Sequence, residues 1–238
     1  MFAGMRVAII WVMCAGEIIA IDGPVASGKT AVGRLLARRL GFRFLDTGLM
    51  YRAVTLSALE LRLSLEDQVS LARLGEALSI EIVSKDGDQR ILLGNKDVTD
   101  ALRAAEVEDA VSIVAQVQGV RTALVGKQRA LAKDGSIVVV GRDIGTVVLP
   151  EAHLKLFLEA SVQERARRRH VELTARGNDS NYESVEKEIL RRDRLDTQRV
   201  NSPLRPASEA LRMDTEKLTV EGVVSKILVD LKERTDNG

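Results

Sequence analysis

The stretch "IIAIDGPVASGKT" (residues 18–30) decides how the rest of the chain is read. Its first half is a short apolar run, from about Glu17 to Asp22, the pattern of a parallel strand covered on both faces. Its second half turns through Gly23 and Gly28 into Lys29 and Thr30. The apolar residues Val32, Leu35, Leu36 and Leu40 then recur at helical spacing, and Gly41 is a stop signal, which predicts a helix from about Lys29 to Leu40. Strand, glycine-rich turn and helix in immediate succession are how an open α/β sheet begins a ligand crevice.

Outward from this unit, "FRFLD" (42–46), "IVVVG" (137–141), "LKLFLEA" (154–160) and "LRMDT" (211–215) read as four more short strands, and a helix from about Val220 to Lys232 closes the chain. Strands alternating with helices predict an α/β fold, a doubly wound core with ligands at the carboxyl ends of the strands. The rhythm changes between residues 47 and 136. Helical Tyr51–Leu61 and Leu71–Leu78 are followed by "SIEIVSKDGDQRILLG" (79–94), two alternating runs joined across Asp86-Gly87, a hairpin signal. Residues 103–131 read as one or two helices. Antiparallel pieces within a parallel pattern predict an inserted lobe.

A chain of 238 residues with 45% hydrophobic content can bury one sizeable core. A net charge of +1 supplies no global field to gather a polyanion, and 3% aromatic content leaves no base-stacking platform, so nucleic acid is not an expected partner. The single cysteine, Cys14, rules out an internal disulfide framework and a thiolate metal site and fits a reducing cytoplasm. "MRVAIIWVMCAG" (5–16) has the order of a weak signal peptide, one basic residue before an apolar stretch and small residues. That stretch is too short for a membrane span, which needs roughly 20 residues, so no membrane association is expected. Residues 1–16 are read as a non-functional extension, with Met5 or Met13 as alternative initiators, and 17–238 as a single domain.

Gly23-Pro24-Val25-Ala26-Ser27-Gly28-Lys29-Thr30 satisfies G-x-x-x-x-G-K-[ST] between a strand and a helix, the context that gives the pattern its meaning. Backbone N–H groups of the loop and of the helix start, through Ala31, would bind phosphate oxygens. Lys29 would bridge the outer phosphates of ATP, and the Thr30 hydroxyl would ligate Mg²⁺. A bound nucleoside triphosphate leaves open a kinase for a small acceptor, a hydrolytic switch or a nucleotide-gated binding module. No apolar strand ends in Asp-Glu, and "GNKDVTD" (94–100) lacks the spacer of a guanine-reading Asn-Lys-x-Asp, which disfavours a switch.

Phosphoryl transfer between two anions asks the protein to position both and to neutralise the moving charge, which requires converging cations. "LDTGLMYR" (45–52) places Thr47 and Arg52 after the second strand, with helix capping by Asp46 or Thr47 as the competing reading. "VVVGRDIGTVVLP" (138–150) puts Arg142 and Asp143 at a strand's carboxyl end. In "RRDRLDTQR" (191–199), Arg192, Asp196 and Arg199 stand at i, i+4, i+7, one helical stripe of cation, anion, cation. The competing reading is an exposed pair worth about 0.3–0.5 kcal/mol. "SVQERARRRHVELTARG" (161–177) opens with a capping box, Ser161 and Glu164, then presents basic residues including Arg165, Arg168, Arg169 and Arg176 that a lid over ATP would need, unless they are simply a solvated face.

Taken together, "IDGPVASGKT", "LDTGLMYRAV", "GRDIGTVVLP" and "RRDRLDTQR" resemble the bacterial cytidylate kinases, in order and spacing, over nearly the whole chain from residue 17. The resemblance implies a three-layer kinase fold around a five-stranded parallel sheet, with core segments at about 17–46, 132–165 and 185–238. It implies an acceptor-binding α+β insertion at about 47–131 and a lid at about 166–184. It further implies Mg²⁺-dependent transfer from ATP to CMP or dCMP by a cytoplasmic monomer, with Lys29, Arg142, Asp143 and Arg199 as catalytic residues. Thr47, Arg52, Arg142 and Arg199 would hold the CMP phosphate, and Arg192 and Asp196 would meet the ribose. Ser112 and Arg121, in "VSIVAQVQGVR" (111–121), would read the cytosine edge with Asp143; without the resemblance they read as helix-surface residues. Arg165 and Arg169 would face ATP. A kinase for shikimate, gluconate or another nucleotide is the same-class alternative. Two departures stand out: Val140 where many relatives carry an acid, and Ala26 where many carry glycine, tolerable if that position needs no positive φ.

Overall fold

The computed structural model describes residues 16–85 and 88–236. The N-terminal extension up to residue 15, with Cys14, and the Asp86-Gly87 turn lie outside the described residues. In chain order the elements are β1 (Ile18–Asp22), α1 (Lys29–Leu40), β2 (Arg43–Asp46), α2 (Thr47–Glu60), α3 (Gln68–Ala77), β3 (Ile80–Lys85), β4 (Asp88–Leu93), β5 (Lys96–Asp97), α4 (Ala105–Val114), α5 (Gln118–Ala132), β6 (Ile137–Gly141), β7 (Leu154–Glu159), α6 (Val162–Ala175), α7 (Tyr182–Thr197), β8 (Leu211–Asp214) and α8 (Val220–Asp236).

The central sheet has five parallel strands in the order β2-β6-β1-β7-β8. β1 lies in the middle, so its last residue, Asp22, comes level with Gly141 of β6 and Phe157 of β7. Every residue of β6 is buried, because helices cover both faces and an unbroken apolar run is what such a strand needs. Side chains alternate across it. Ile19, Ile21, Val138 and Val140 pack with Val32 and Leu36 of α1 and Val223, Val224 and Ile227 of α8. Ala20, Leu45 and Val139 face Tyr51 and Val54 of α2, Val111 of α4, and Val120 and Leu124 of α5. Each fully buried aliphatic side chain contributes about 1.5–3 kcal/mol. A Cβ on Gly33 would stand 2.5 Å from Val140 Cγ1, so glycine lets α1 lie against the sheet.

Helices α2, α4 and α5 thus belong to one layer of the core, although they fall within the stretch read as an insertion. The antiparallel sheet β3-β4-β5 is the appended part, packing Ile91 and Val98 against Ala53 and Leu56 on the outer side of α2. α6 and α7 pack as an antiparallel pair around Ala166, Val185 and Ile189, with Val25 and Ala26 of the phosphate loop against them. Among the described residues no helix is long and apolar enough to cross a membrane.

Candidate active site

The loop after β1 opens into a cavity of about 740 Å³ that runs from the start of α1 to α4 and α7. Val25 to Ala31 line it, whereas Gly23 and Pro24 lie behind. Gly28 caps α1 with φ +91°, a left-handed conformation that leaves the N–H groups of the helix start free for an anion. Lys29 is buried, its Nζ donating to Pro24 O and, at 3.3 Å, to Ser27 Oγ. Burial first, and then the charge of Arg142, push the Lys29 ammonium well below its ordinary pKa range. An anion bound beside it would favour the charged form. Ala26 takes φ +58°, so the condition under which alanine would be free of cost there does not hold. The Val140 side chain lies in the apolar core and its carbonyl accepts from Thr47 Oγ1 at 2.9 Å.

Asp22 sits under the loop and accepts from the backbone N–H groups of Ile144 and Gly145, at 2.8 Å each. Desolvation outweighs these bonds and lifts its pKa to about 6. Asp46 caps α2 through Gly48 N at 3.0 Å, and its other carboxylate oxygen accepts from the Thr30 hydroxyl at 2.8 Å. Capping and site thus coexist in one residue. The hydroxyl and carboxylate form a pair of oxygen donors beside the loop, a fit for Mg²⁺, which takes few protein ligands and completes its shell with water and phosphate oxygens. Among the described residues no group of three His, Cys, Asp or Glu could hold a metal without such help.

Opposite the loop the structure brings the remaining candidates together. Thr47, Arg52, Ser112, Arg121, Arg142, Asp143, Arg169, Arg192, Asp196 and Arg199 all line the cavity. Ser112 and Arg121 are buried, unlike ordinary helix-surface residues, and Arg121 pairs with Asp143 and lies over the Tyr51 ring at 5.5 Å. Arg192 and Asp196 are buried too, which removes the exposed-pair reading. Arg199 is not on the helical stripe: α7 ends at Thr197, and Arg199 folds back from the following turn to donate to Asp196 O at 3.3 Å. Arg142 Nε donates to Asp196 Oδ2 at 2.8 Å. Burial, then the charges of Arg142 and Arg52, lower the Arg192 pKa to about 10, and burial also lowers those of Arg52 and Arg199. Arg192 Nε and Arg199 Nη2 are buried with no hydrogen-bond partner among the described residues. Several guanidiniums with too few counter-charges make a receptor for an anion.

Arg165 is a correction to the sequence reading. Its guanidinium is buried away from the cavity, forked onto Asp193 at 3.1 and 2.6 Å and donating to Val25 O and Ala160 O, so it ties α6 to α7 and to the back of the loop. Arg168 and Arg169, further along α6, line the cavity instead. Arg168 reaches Thr215 O at 2.6 Å beside Gly28. The capping box forms only in part. Ser161 Oγ accepts from Glu164 N at 3.2 Å, but the Glu164 carboxylate turns to Arg167 and Arg168.

Three features escaped sequence reasoning. Glu108 of α4 pairs with both Arg52, at 3.4 Å, and Arg169, bridging the two sides of the cavity. Burial alone would raise its pKa, but those two arginines hold it below the ordinary range. Leu218, Val220 and Val223, with Thr219 among them, form a largely apolar wall beside the loop. Tyr51 is buried with its pKa pushed up to about 12, chiefly by desolvation. A helical pattern shows which residues share a face, not which other element that face meets.

The family profile described as Cytidylate kinase matches residues 19–233. The cytidylate kinase of Carboxydothermus hydrogenoformans is 50% identical over 218 residues, covering 92% of this chain and 98% of its own. That of Geobacillus sp. (strain WCH70) is 47% identical over 216 residues, covering 91% and 96%. A solved structure of an uncharacterized protein from Eubacterium ventriosum ATCC 27560 aligns with a TM-score of 0.50 at 13% identity, covering 92% of this chain and 99% of that one, a likeness of fold alone. With a phosphate loop facing an arginine-lined receptor, and near-half identity to these relatives along almost its whole length, the chain belongs to the cytidylate kinase family.

Proposed function

We propose that this protein transfers the γ-phosphoryl group of ATP to CMP or dCMP, giving ADP and CDP or dCDP, and that it works as a cytoplasmic monomer. The observation that carries this reading is the placement of Arg52, Arg142, Arg192 and Arg199 on the same cavity as the phosphate loop, two of them with buried nitrogens that have no hydrogen-bond partner among the described residues. A hydrolytic switch has no use for a second anion receptor.

An oxygen of the acceptor phosphate attacks the γ-phosphorus while the bond to the β,γ-bridging oxygen breaks, and the electron pair leaves on ADP. The acceptor oxygen is already anionic near neutral pH, so no general base is required. The protein's work is positioning and charge stabilisation. Lys29 and the loop N–H groups hold the donor phosphates, and Thr47, Arg52, Arg142 and Arg199 hold the acceptor phosphate in line. Arg142 and Arg199 also stabilise charge on the moving group. Arg192 and Asp196 meet the ribose. Ser112, Arg121 and Asp143 offer a hydroxyl, a guanidinium and a carboxylate to the amine and carbonyl of cytosine, and an analogue that leaves such partners unpaired is rejected. Thr30, with Asp46 alongside, would hold Mg²⁺, which when bound supplies neutralising charge between donor phosphates. Arg168 and Arg169 close over ATP from the lid side.

A coupled assay of ADP release against a panel of acceptors tests the proposal. CMP and dCMP should be turned over well ahead of UMP and AMP. Slow ATP hydrolysis that no monophosphate accelerates would overturn it.

A further inference from the structure

β2 is an edge strand of the central sheet, so the backbone groups on its outer side have no neighbouring strand to bond. At the carboxyl end of that edge a single side chain takes the strand's place. Gln89 of β4, buried in the appended sheet, donates through Nε2 to Phe44 O at 2.7 Å and accepts through Oε1 from Asp46 N at 2.9 Å. One primary amide thus occupies one bridge position, donor to carbonyl and acceptor to N–H. The reverse orientation would set like against like at both ends. Neither a carboxylate nor an ammonium could make both bonds, because the first only accepts and the second only donates.

The residue so held is Asp46. Its backbone N–H goes to Gln89, Oδ1 accepts from Gly48 N and Oδ2 accepts from the Thr30 hydroxyl, so it is fixed from three directions between the donor loop and the start of α2. The next residue, Thr47, lines the acceptor side of the cavity. Gln89 itself does not reach that cavity. It lines a separate recess of about 400 Å³ with Phe44, Arg43 and Ile82.

We propose that Gln89 is a positioning residue, which staples the appended sheet to the edge of β2 and thereby sets the Asp46 carboxylate against Thr30 in the geometry phosphoryl transfer needs. This rests on the proposed kinase function. The recess beside the staple, lined by Phe44 and Gln89, gives water a route to the freed Phe44 carbonyl, so losing the amide costs placement more than stability. Misplacement of reacting groups by a fraction of an ångström is expensive in rate.

The test uses the full chain with Gln89→Met, which keeps the volume and removes both bonds, and Gln89→Asn, which is one methylene too short to span them. For Gln89→Met, kcat with ATP and CMP should fall about tenfold while both KM values stay within about twofold. Amide hydrogen exchange, measured by mass spectrometry without nucleotide or metal, should quicken over residues 44–47, and Gln89→Asn should show the same signature if the methionine variant fails to fold. In an Asp46→Asn background, Gln89→Met should cost no further activity, because the group it positions is already gone. A lowered melting temperature with unchanged kcat and exchange would overturn the proposal, as would losses that multiply in the double variant. If wild type does not phosphorylate CMP, the kinase reading fails, and the exchange result still decides whether Gln89 holds Asp46.

Discussion

Arg142 Nε lies 2.8 Å from Asp196 Oδ2, joining the residue after β6 to the last turn of α7. Asp196 is buried, and although desolvation alone would raise its pKa, Arg142, Arg199 and Arg192 hold it below the ordinary carboxylate range. It is the shared counter-charge of that cluster. Asp196→Ala should therefore destabilise the nucleotide-free protein by about 3–5 kcal/mol, the cost of leaving buried cations unpaired. Urea unfolding measures this directly. Asp196→Asn, whose amide oxygen can still accept from Arg142, should lose less, and equal stability of all three proteins would remove Asp196 from that role.

Lys29 stands in the opposite position, a buried cation whose charge is disfavoured by desolvation and by Arg142. Lys29→Met should leave the melting temperature of the nucleotide-free protein unchanged or higher while lowering kcat/KM about a thousandfold. Arg199→Ala should cost a similar factor with the fold intact. Turnover near that of wild type in either variant would show that the convergence of charge does not serve transfer.

Arg165 and Arg169 separate structure from function although both lie on α6. Arg165→Ala leaves Asp193 partly buried without its forked partner and should cost about 3 kcal/mol, read by denaturant unfolding. Arg169→Ala touches a cavity-lining residue and should instead raise the KM for ATP with a small change in stability. The reverse pattern would restore Arg165 to the nucleotide site.

Asp22 gives the protein a pH dependence of definite sign. Its pKa is about 6 when folded against 3.8 for an ordinary Asp, so between these values the folded state holds more protons than the unfolded one. Stability from this group is complete below about pH 4 and is lost as pH rises through 6, a fall of about 3 kcal/mol. Asp22→Asn lacks that titration. The stability of the variant relative to wild type should increase by about this amount from pH 4 to pH 7, measured by unfolding without nucleotide; parallel profiles would contradict the shift.

Ala26 holds φ +58° within the phosphate loop, a conformation that costs an L-residue about 1–2 kcal/mol. Glycine would relieve that strain and give back part of the gain as unfolded-chain entropy. Ala26→Gly should raise the melting temperature by about 2–3 °C. A lower melting temperature would mean that packing of the Ala26 methyl against the α6–α7 pair outweighs the strain.

The sequence by itself determined the parallel core and the strand, glycine-rich loop and helix at its centre, because both depend on local signals. Four apolar residues closed by Asp22 and Gly23 read as a buried strand from their length and flanking turn signal, and the residues from Gly23 to Thr30 carry their own turn and helix start. The side of the cavity facing the loop was legible as motifs but not as an arginine cluster. Ser112 and Arg121 look like any helix residues until α4 and α5 are packed against the sheet, and Glu108 and Gln89 act only through partners 40 or more positions away in Arg52, Arg169, Phe44 and Asp46. Arg165 shows the converse, since four basic residues in one helix stretch are alike in sequence and only packing turned one of them inward to Asp193. Periodicity fixes which side chains share a face; which charges meet across the cavity follows from burial and Coulomb energy between elements far apart in the chain, and those exist only once the layers have closed.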